Sequence, residues 1–219
     1  EKIFSDHFLG NYNVLNLYLE RGKLKAKAKD FISAKNDFQN AKRYSKERYA
    51  RILIKTTEIP FYAEIGDYKN VEILAKEFKE DLIEEMKEIN NINDNNSNKS
   101  EFLKGIVNSE KSKISYQGML LSMYIFAENA LSNISKEDKI KNLTEGINAV
   151  ENINIKHENL YILYNQRAKL KESQKNYQGA LLDFNKALKI TNPDTNLLLD
   201  RAKIKLKLKD NVGAINDIN

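Results

Sequence analysis

An all-α chain built from stacked antiparallel helical hairpins is the fold this sequence predicts, and three observations predict it. Turn formers are scarce: 8 Gly and 2 Pro stand in 219 residues, whereas a multi-stranded sandwich or barrel needs a turn about every 8–12 residues. The chain also repeats itself. Arg167-Ala168-Lys169-Leu170-Lys171 returns as Arg201-Ala202-Lys203-Ile204-Lys205, and Gly179-Ala180-Leu181-Leu182-Asp183-Phe184 returns as Gly213-Ala214-Ile215-Asn216-Asp217-Ile218, both at an offset of 34 residues. Within each copy, small and large apolar residues recur at a spacing of four, which puts them on one face of a helix. A hydrophobic content of 41%, with 11 Tyr and 9 Phe, gives such helices enough to bury and argues against disorder.

Residues 1–89 are read as the first repeats. Tyr18 precedes Gly22 by four, Ala34 precedes Phe38 by four, and Lys29-Asp30-Phe31 forms a short polar turn between the two halves. The small residue admits a neighbouring helix and the large one fills the gap. Gly66-Asp67-Tyr68, followed by Val71, Ala75 and Phe78, marks a second turn and second helix over about 52–85, with Pro60 expected to interrupt the helix before it. Residues 90–100 are Asn-rich with almost nothing to bury, so a mobile loop or insertion is expected there. Residues 101–160 read as a degenerate helical repeat region: Tyr116 to Leu131 is apolar enough for a buried helix, and Leu143, Ile147 and Val150 have second-helix spacing. Residues 161–219 hold two further units, with Tyr164/Ala168, Ala180/Phe184, Leu198/Ala202 and Ala214/Ile218 at spacing four and turns at Lys175-Asn176-Tyr177 and Lys209-Asp210-Asn211. The last unit breaks off inside its second helix. Lys23 to Lys29 and Lys203 to Lys209 alternate with period two, as a strand does, but the related copy Lys169-Leu170-Lys171-Glu172-Ser173-Gln174 loses the alternation, and Lys, Leu and Ala are good helix formers. Helix is therefore predicted.

Tyr164, Arg167-Ala168, Tyr177, Ala180, Asp183-Phe184, Ala187 and Pro193 together resemble a tetratricopeptide repeat, and so do Tyr18, Arg21-Gly22, Phe31, Ala34, Asp37-Phe38 and Ala41. The resemblance implies a right-handed α-solenoid of four to five hairpins, some degenerate, acting as a non-catalytic protein-interaction scaffold. Stacked hairpins of this kind bury a continuous core and leave a concave groove made of first helices. By resemblance, the groove positions are Asn16, Leu19, Lys23 and Lys27; Ile162, Asn165, Lys169 and Ser173; and Asn196, Leu199, Lys203 and Lys207. The polar ones, Asn16, Lys23, Lys27, Asn165, Lys169, Asn196, Lys203 and Lys207, are the expected partner-binding residues. Lys supplies positive charge and Asn can bond both N–H and C=O of an extended backbone, so the expected partner is an extended or helical, acidic segment of another protein. The carboxylate-clamp subclass wants Lys followed four residues later by Asn, and Leu19 and Lys23 stand there instead. The alternative is an RNA- or anionic-surface-binding repeat protein, disfavoured because no aromatic residues interleave with the groove lysines to stack bases.

Charge and chemistry narrow the reading further. Residues 1–51 carry 12 Lys/Arg against 6 Asp/Glu, residues 52–160 carry 13 against 19, and residues 161–219 carry 11 against 6, so basic ends flank an acidic middle rather than forming one basic stripe. Zero Cys removes disulfides, thiolate metal sites and cysteine nucleophiles together. His7 and His157 stand far apart and neither has metal-ligand spacing around it; both are expected to be exposed polar residues. No glycine-rich phosphate loop occurs, so neither cofactor nor metal is expected, nor a catalytic role. No run approaches the roughly 20 apolar residues that cross a bilayer. The chain opens at Glu1 without an apolar signal region, so any targeting segment is expected upstream and the compartment stays open between cytoplasm and cell envelope. The recurrent pairs Arg21/Asp37, Arg167/Asp183 and Arg201/Asp217, each 16 residues apart, are expected to form an ion pair across each hairpin; at an exposed site each would contribute about 0–1 kcal/mol.

Overall fold

A computed structural model describes residues 2–91, 109–131, 133–154, 157–191 and 194–218, with the side chains of 2–11 and 110 outside the description. These residues form ten helices and no strand: α1 Lys2–Lys27, α2 Phe31–Lys42, α3 Arg48–Glu64, α4 Tyr68–Asn90, α5 Glu110–Ala130, α6 Lys136–Asn152, α7 Leu160–Ser173, α8 Tyr177–Ile190, α9 Thr195–Lys207 and α10 Asn211–Ile218. They fall into two compact units, Glu1–Glu85 with Asn129–Leu131, and Met86–Glu128 with Ser132–Asn219. Helices adjacent in the chain pack in pairs, as in α1 with α2, α7 with α8, and α9 with α10. Both Lys-rich alternating segments are helical, ending α1 and α9.

Four of the pairs are closed by one turn. Lys29, Gly66, Lys175 and Lys209 take left-handed backbone, with φ of 61°, 75°, 62° and 66°. The following N–H reaches back five residues: Asp30 to Lys25 O, Asp67 to Tyr62 O, Asn176 to Lys171 O and Asp210 to Lys205 O. This Schellman closure satisfies carbonyls that a helix end leaves orphaned. The same Asp or Asn then caps the next helix, its side chain accepting from the backbone N–H of Ser33, Asn70, Gly179 or Gly213. One residue thus ends one helix and starts the next.

The small-large pattern seen in sequence is the packing that joins the hairpins. Gly22 faces Phe38, whose ring occupies the space a side chain at residue 22 would need. Ala168, Ala180 and Phe184 are wholly buried in the α7/α8 pair. In α1 the core stripe is Leu15, Leu19, Gly22 and Ala26, which corrects the placement of Leu19 on a groove: at 2% exposure it is core. α5 and α6 occupy the degenerate region, with Leu143, Ile147 and Val150 buried and Tyr124 of α5 lying over Gly146 of α6.

Two further expectations change. Pro60 lies inside α3, which continues past it to Glu64; its ring is exposed and Thr56, whose carbonyl loses the N–H bond, is half-exposed on the same side, so the interruption falls where neither core packing nor a neighbouring helix depends on it. Asn90, counted with the expected loop, ends α4 and is tied down: its side chain donates to Ile153 O at 2.7 Å, and Lys113 Nζ donates to its carbonyl at 3.3 Å. The rest of that loop, from residue 92, lies outside the described residues.

The expected Arg–Asp pairs form, and each is larger than a pair. Arg21 Nε and Nη2 donate to the two carboxylate oxygens of Asp37 at 2.9 and 2.6 Å, and Arg167 holds Asp183 at the same distances. Arg201 grips Asp217 in the same bidentate way. Lys25, Lys171 and Lys205, one helical turn after each Arg, add a second cation at 2.8 Å. α3 and α4 repeat the arrangement with Arg51 and Lys55 on Asp81. The carboxylates are 1–8% exposed, so these are buried clamps rather than surface pairs. The Arg21 hydrogen bond and Lys25 hold Asp37 below the usual carboxylate range. At Asp81 and Asp217 burial pushes upward, but their Arg and Lys partners together outweigh it and leave both lowered.

Glu58 of α3 behaves in the opposite way. It is 1% exposed, and Lys42 Nζ lies 2.8 Å from its Oε1, yet no well-aligned hydrogen bond reaches either oxygen among the described residues. Burial raises its pKa, against opposing pulls from Lys42 and Lys55, with Glu77 adding to the rise. Linkage gives the two classes opposite signs. The depressed aspartates contribute stability above the ordinary carboxylate range that is lost as pH falls through their lowered values. Glu58 is tolerated best when protonated, and stability is lost as pH rises from the ordinary glutamate value, about 4.3, through its raised one. Glu58→Gln is therefore expected to gain stability relative to wild type between pH 4 and pH 7, as read by urea midpoints at the two pH values. A midpoint difference that is the same at both pH values would refute the assignment.

Candidate functional site

Helix periodicity carries the expected binding residues to exposed faces of first helices. In the second unit, Lys169 of α7 and Lys203 of α9 are both exposed, and they converge: Lys169 Nζ lies 3.3 Å from Asp200 Oδ2 and Lys203 Nζ lies 3.1 Å from Asp200 Oδ1. Asp200, on α9, is 21% exposed at its side chain while each lysine is 55% exposed. Two cations on successive first helices thus share one carboxylate, a cluster of net charge +1 open to solvent. Asn165 sits one helical turn before Lys169, half-buried, its Oδ1 without a hydrogen-bond partner among the described residues. Asn196, Leu199 and Lys207 of α9 are exposed, as is Ser173 of α7, and Ile162 is half-buried.

In the first unit, Lys23 and Lys27 of α1 are exposed and Asn16 is half-buried. Lys23 Nζ bonds Glu20 Oε1 at 2.7 Å, so the same register again places an acid three residues before the groove lysine. Sequence reasoning counted the lysines and passed over their acids. Glu20 and Asp200 both stand at position i with Lys at i+3, a spacing that puts the pair on one helical face, so the signal was present in the sequence. The face is one of mixed charge rather than a bare basic strip.

The structure brings other polar groups together in the second unit. A cavity of about 490 Å³ is lined by Glu151, Asn154, His157, Glu158, Leu160, Lys189 and Ile190. Beside it, Tyr164 donates to Glu151, and Lys186 Nζ lies 3.1 Å from Glu151 Oε1 and 3.2 Å from the Tyr164 hydroxyl. The Tyr164 hydrogen bond, then Lys186, hold Glu151 below its ordinary value despite partial burial. Burial first, and the Glu151 contact next, push the Tyr164 hydroxyl up. This network braces α6, α7 and α8 and leaves no base poised beside a nucleophile. His157, expected to be exposed, is half-buried: its ring lies over the bare Cα of Gly118 on α5, and Nδ1 accepts the Asn159 N–H at 3.1 Å, so it anchors the start of α7. Among the described residues no three His, Cys, Asp or Glu side chains gather as metal ligands, and no helix is long and apolar enough to cross a membrane.

No protein-family model matches this chain, and no curated protein matches it either.

Proposed function

We propose that this chain is a tetratricopeptide-like, right-handed solenoid scaffold that binds an extended or helical, acidic segment of a partner protein along its first-helix faces. The observation that carries the reading is the meeting of Lys169 and Lys203 around Asp200. Residues on two successive first helices share one small exposed area, which is what a ligand laid across the hairpins has to touch. An incoming carboxylate finds two ammonium groups already within reach of one oxygen pair and competes with Asp200 for them. Such exposed charges steer encounter and set specificity more than they add affinity, and the ordinary strength of exposed pairs means that Asp200 yields at a cost of about 0–1 kcal/mol.

The test is binding of immobilised acidic peptides to the chain at low and at raised salt. Wild type is expected to bind with strong salt dependence, and the Lys169→Glu/Lys203→Glu variant to associate at least about tenfold more slowly. Its melting temperature should not fall, because both lysines are more than half exposed. Mixed-sequence RNA added as competitor should leave the peptide bound. Peptide association indifferent to both charge reversals, at either salt, sinks the proposal.

A further inference from the structure

The most exposed large apolar side chains of the two end hairpins fall into two sets that fit each other. The register is fixed by the clamps. In α7 and α9 the residue four before the clamp Arg is Leu163 or Leu197, 0% and 2% exposed, and the residue three after the Arg in α9 is Ile204, 0% exposed. These side chains pack back onto the preceding hairpin, α6 onto α7 and α8 onto α9. The third guanidinium nitrogen closes the same joint: Arg167 Nη1 donates to Thr144 Oγ1 of α6 at 3.0 Å, and Arg201 Nη1 to Asn185 Oδ1 of α8 at 2.9 Å. Each joint therefore consists of apolar residues at Arg −4 and +3 around an Arg that reaches across.

α1 carries the same half of a joint with nothing on it. Leu17 and Leu24, at −4 and +3 from Arg21, are 70% and 65% exposed. The Arg21 side chain is 57% exposed against 10% and 20% for Arg167 and Arg201, and among the described residues its Nη1 has no acceptor. The α9/α10 pair carries the other half. Phe38 and Phe184, each one residue after the clamp Asp, are 1% and 0% exposed, and Phe38 meets Phe61 of the following first helix α3 edge to face at 5.0 Å. Ile218 holds that place in α10 and is 64% exposed, with Ile215 beside it at 57% and Leu206 of α9 at 52%. In the sequence, Asn219 stands 34 residues after Asn185, the place of the acceptor that takes the Arg in the α8/α9 joint.

We propose that the chain associates head to tail with copies of itself, α1 of one copy seated on the α9/α10 pair of the next, so that Leu17, Arg21 and Leu24 cover Ile215, Ile218 and Leu206 as α9 covers α8. The occupant is a second copy because the two open faces are the two complementary halves of a joint the chain already makes internally. The contact uses different patches on the two partners, so it is heterologous and propagates, as a ring if its rotation closes and as a filament if it does not. This inference does not depend on the groove.

Sedimentation velocity across a concentration series tests it. The weight-average sedimentation coefficient of the wild-type chain should rise with concentration. Leu17→Lys/Leu24→Lys, which spoils the head, and Ile215→Lys/Ile218→Lys, which spoils the tail, should each remain at the monomer value throughout. Mixed in equal amounts, the two variants retain one good tail and one good head, so they should form a one-to-one dimer that grows no further. Circular dichroism melts confirm folding; if a lysine variant fails that check, Ser at the same positions carries the test. A wild-type chain that stays monomeric at every concentration, a variant that associates as wild type does, or a mixture that remains monomeric each overturns the proposal.

Discussion

Asp183→Ala is expected to lower the stability of the second unit by about 3–5 kcal/mol, the cost of breaking a buried ion pair from one side. Asp183 is 2% exposed, and its carboxylate is the only counter-charge shown for Arg167, whose side chain is 10% exposed, and for Lys171 at 19%. Removing it strands two cations where water reaches poorly. Asp37→Ala in the first unit removes a carboxylate with the same contacts, yet Arg21 is 57% exposed and Lys25 32% exposed, so both re-enter water and the loss should fall nearer about 1 kcal/mol. Chemical denaturation of both variants checks the pair of values. The contrast matters more than either number, because equal losses would mean that the geometry of the clamp, rather than the burial of its cations, sets its worth.

Phe38→Ala is expected to cost about 3–5 kcal/mol. The ring is 1% exposed, fills the space over Gly22 and meets the edge of Phe61 at 5.0 Å, so its removal opens a cavity at the junction of α1, α2 and α3. Gly22→Ala alone should destabilise by about 1–3 kcal/mol, because the new methyl group collides with that ring. The two changes are not independent. In the Phe38→Ala background the methyl enters the vacated space, and the double variant should be more stable than the sum of the two losses predicts by about 0.5–3 kcal/mol. Additive losses, measured by urea denaturation of all four proteins, would show that the small and large residues are not partners.

The parts of this fold that were legible in the sequence are those repeated at fixed spacing. Three copies of Arg and Asp 16 residues apart announced the clamps, and spacing-four pairs of small and large residues announced the hairpins. The Lys that completes each clamp was equally visible, one turn after each Arg, but a lysine in a Lys-rich chain reads as solvated until its carboxylate is seen to be buried. The fourth clamp was hidden for a different reason. α3 and α4 are longer than their counterparts, so Arg51 and Asp81 stand 30 residues apart and no fixed offset finds them. Pro60 misled because a breaking residue was judged without knowing which side of the helix it occupies. At the candidate site the lysines were found and Asp200 was not, since its role depends on Lys169, which is distant in sequence. Leu19 was placed by resemblance alone, and the apolar stripe it shares with Leu15 and Ala26 was the better guide.

The way in which the helices are joined bears on how such a chain comes apart. Within α7–α10 the charged clamps tie first helix to second inside one hairpin, whereas the links from one hairpin to the next rest on apolar packing with a single neutral hydrogen bond from the Arg. Each hairpin is then a cooperative element with its own lock, coupled to its neighbour through a softer term, and stability takes the form of a sum over elements and nearest-neighbour couplings. α9 and α10 have such a neighbour on one side only. Their amide protons should exchange with solvent through openings of lower free energy than those of α7 and α8, so protection graded along the chain, rather than one global value, is the signature this architecture leaves in hydrogen exchange.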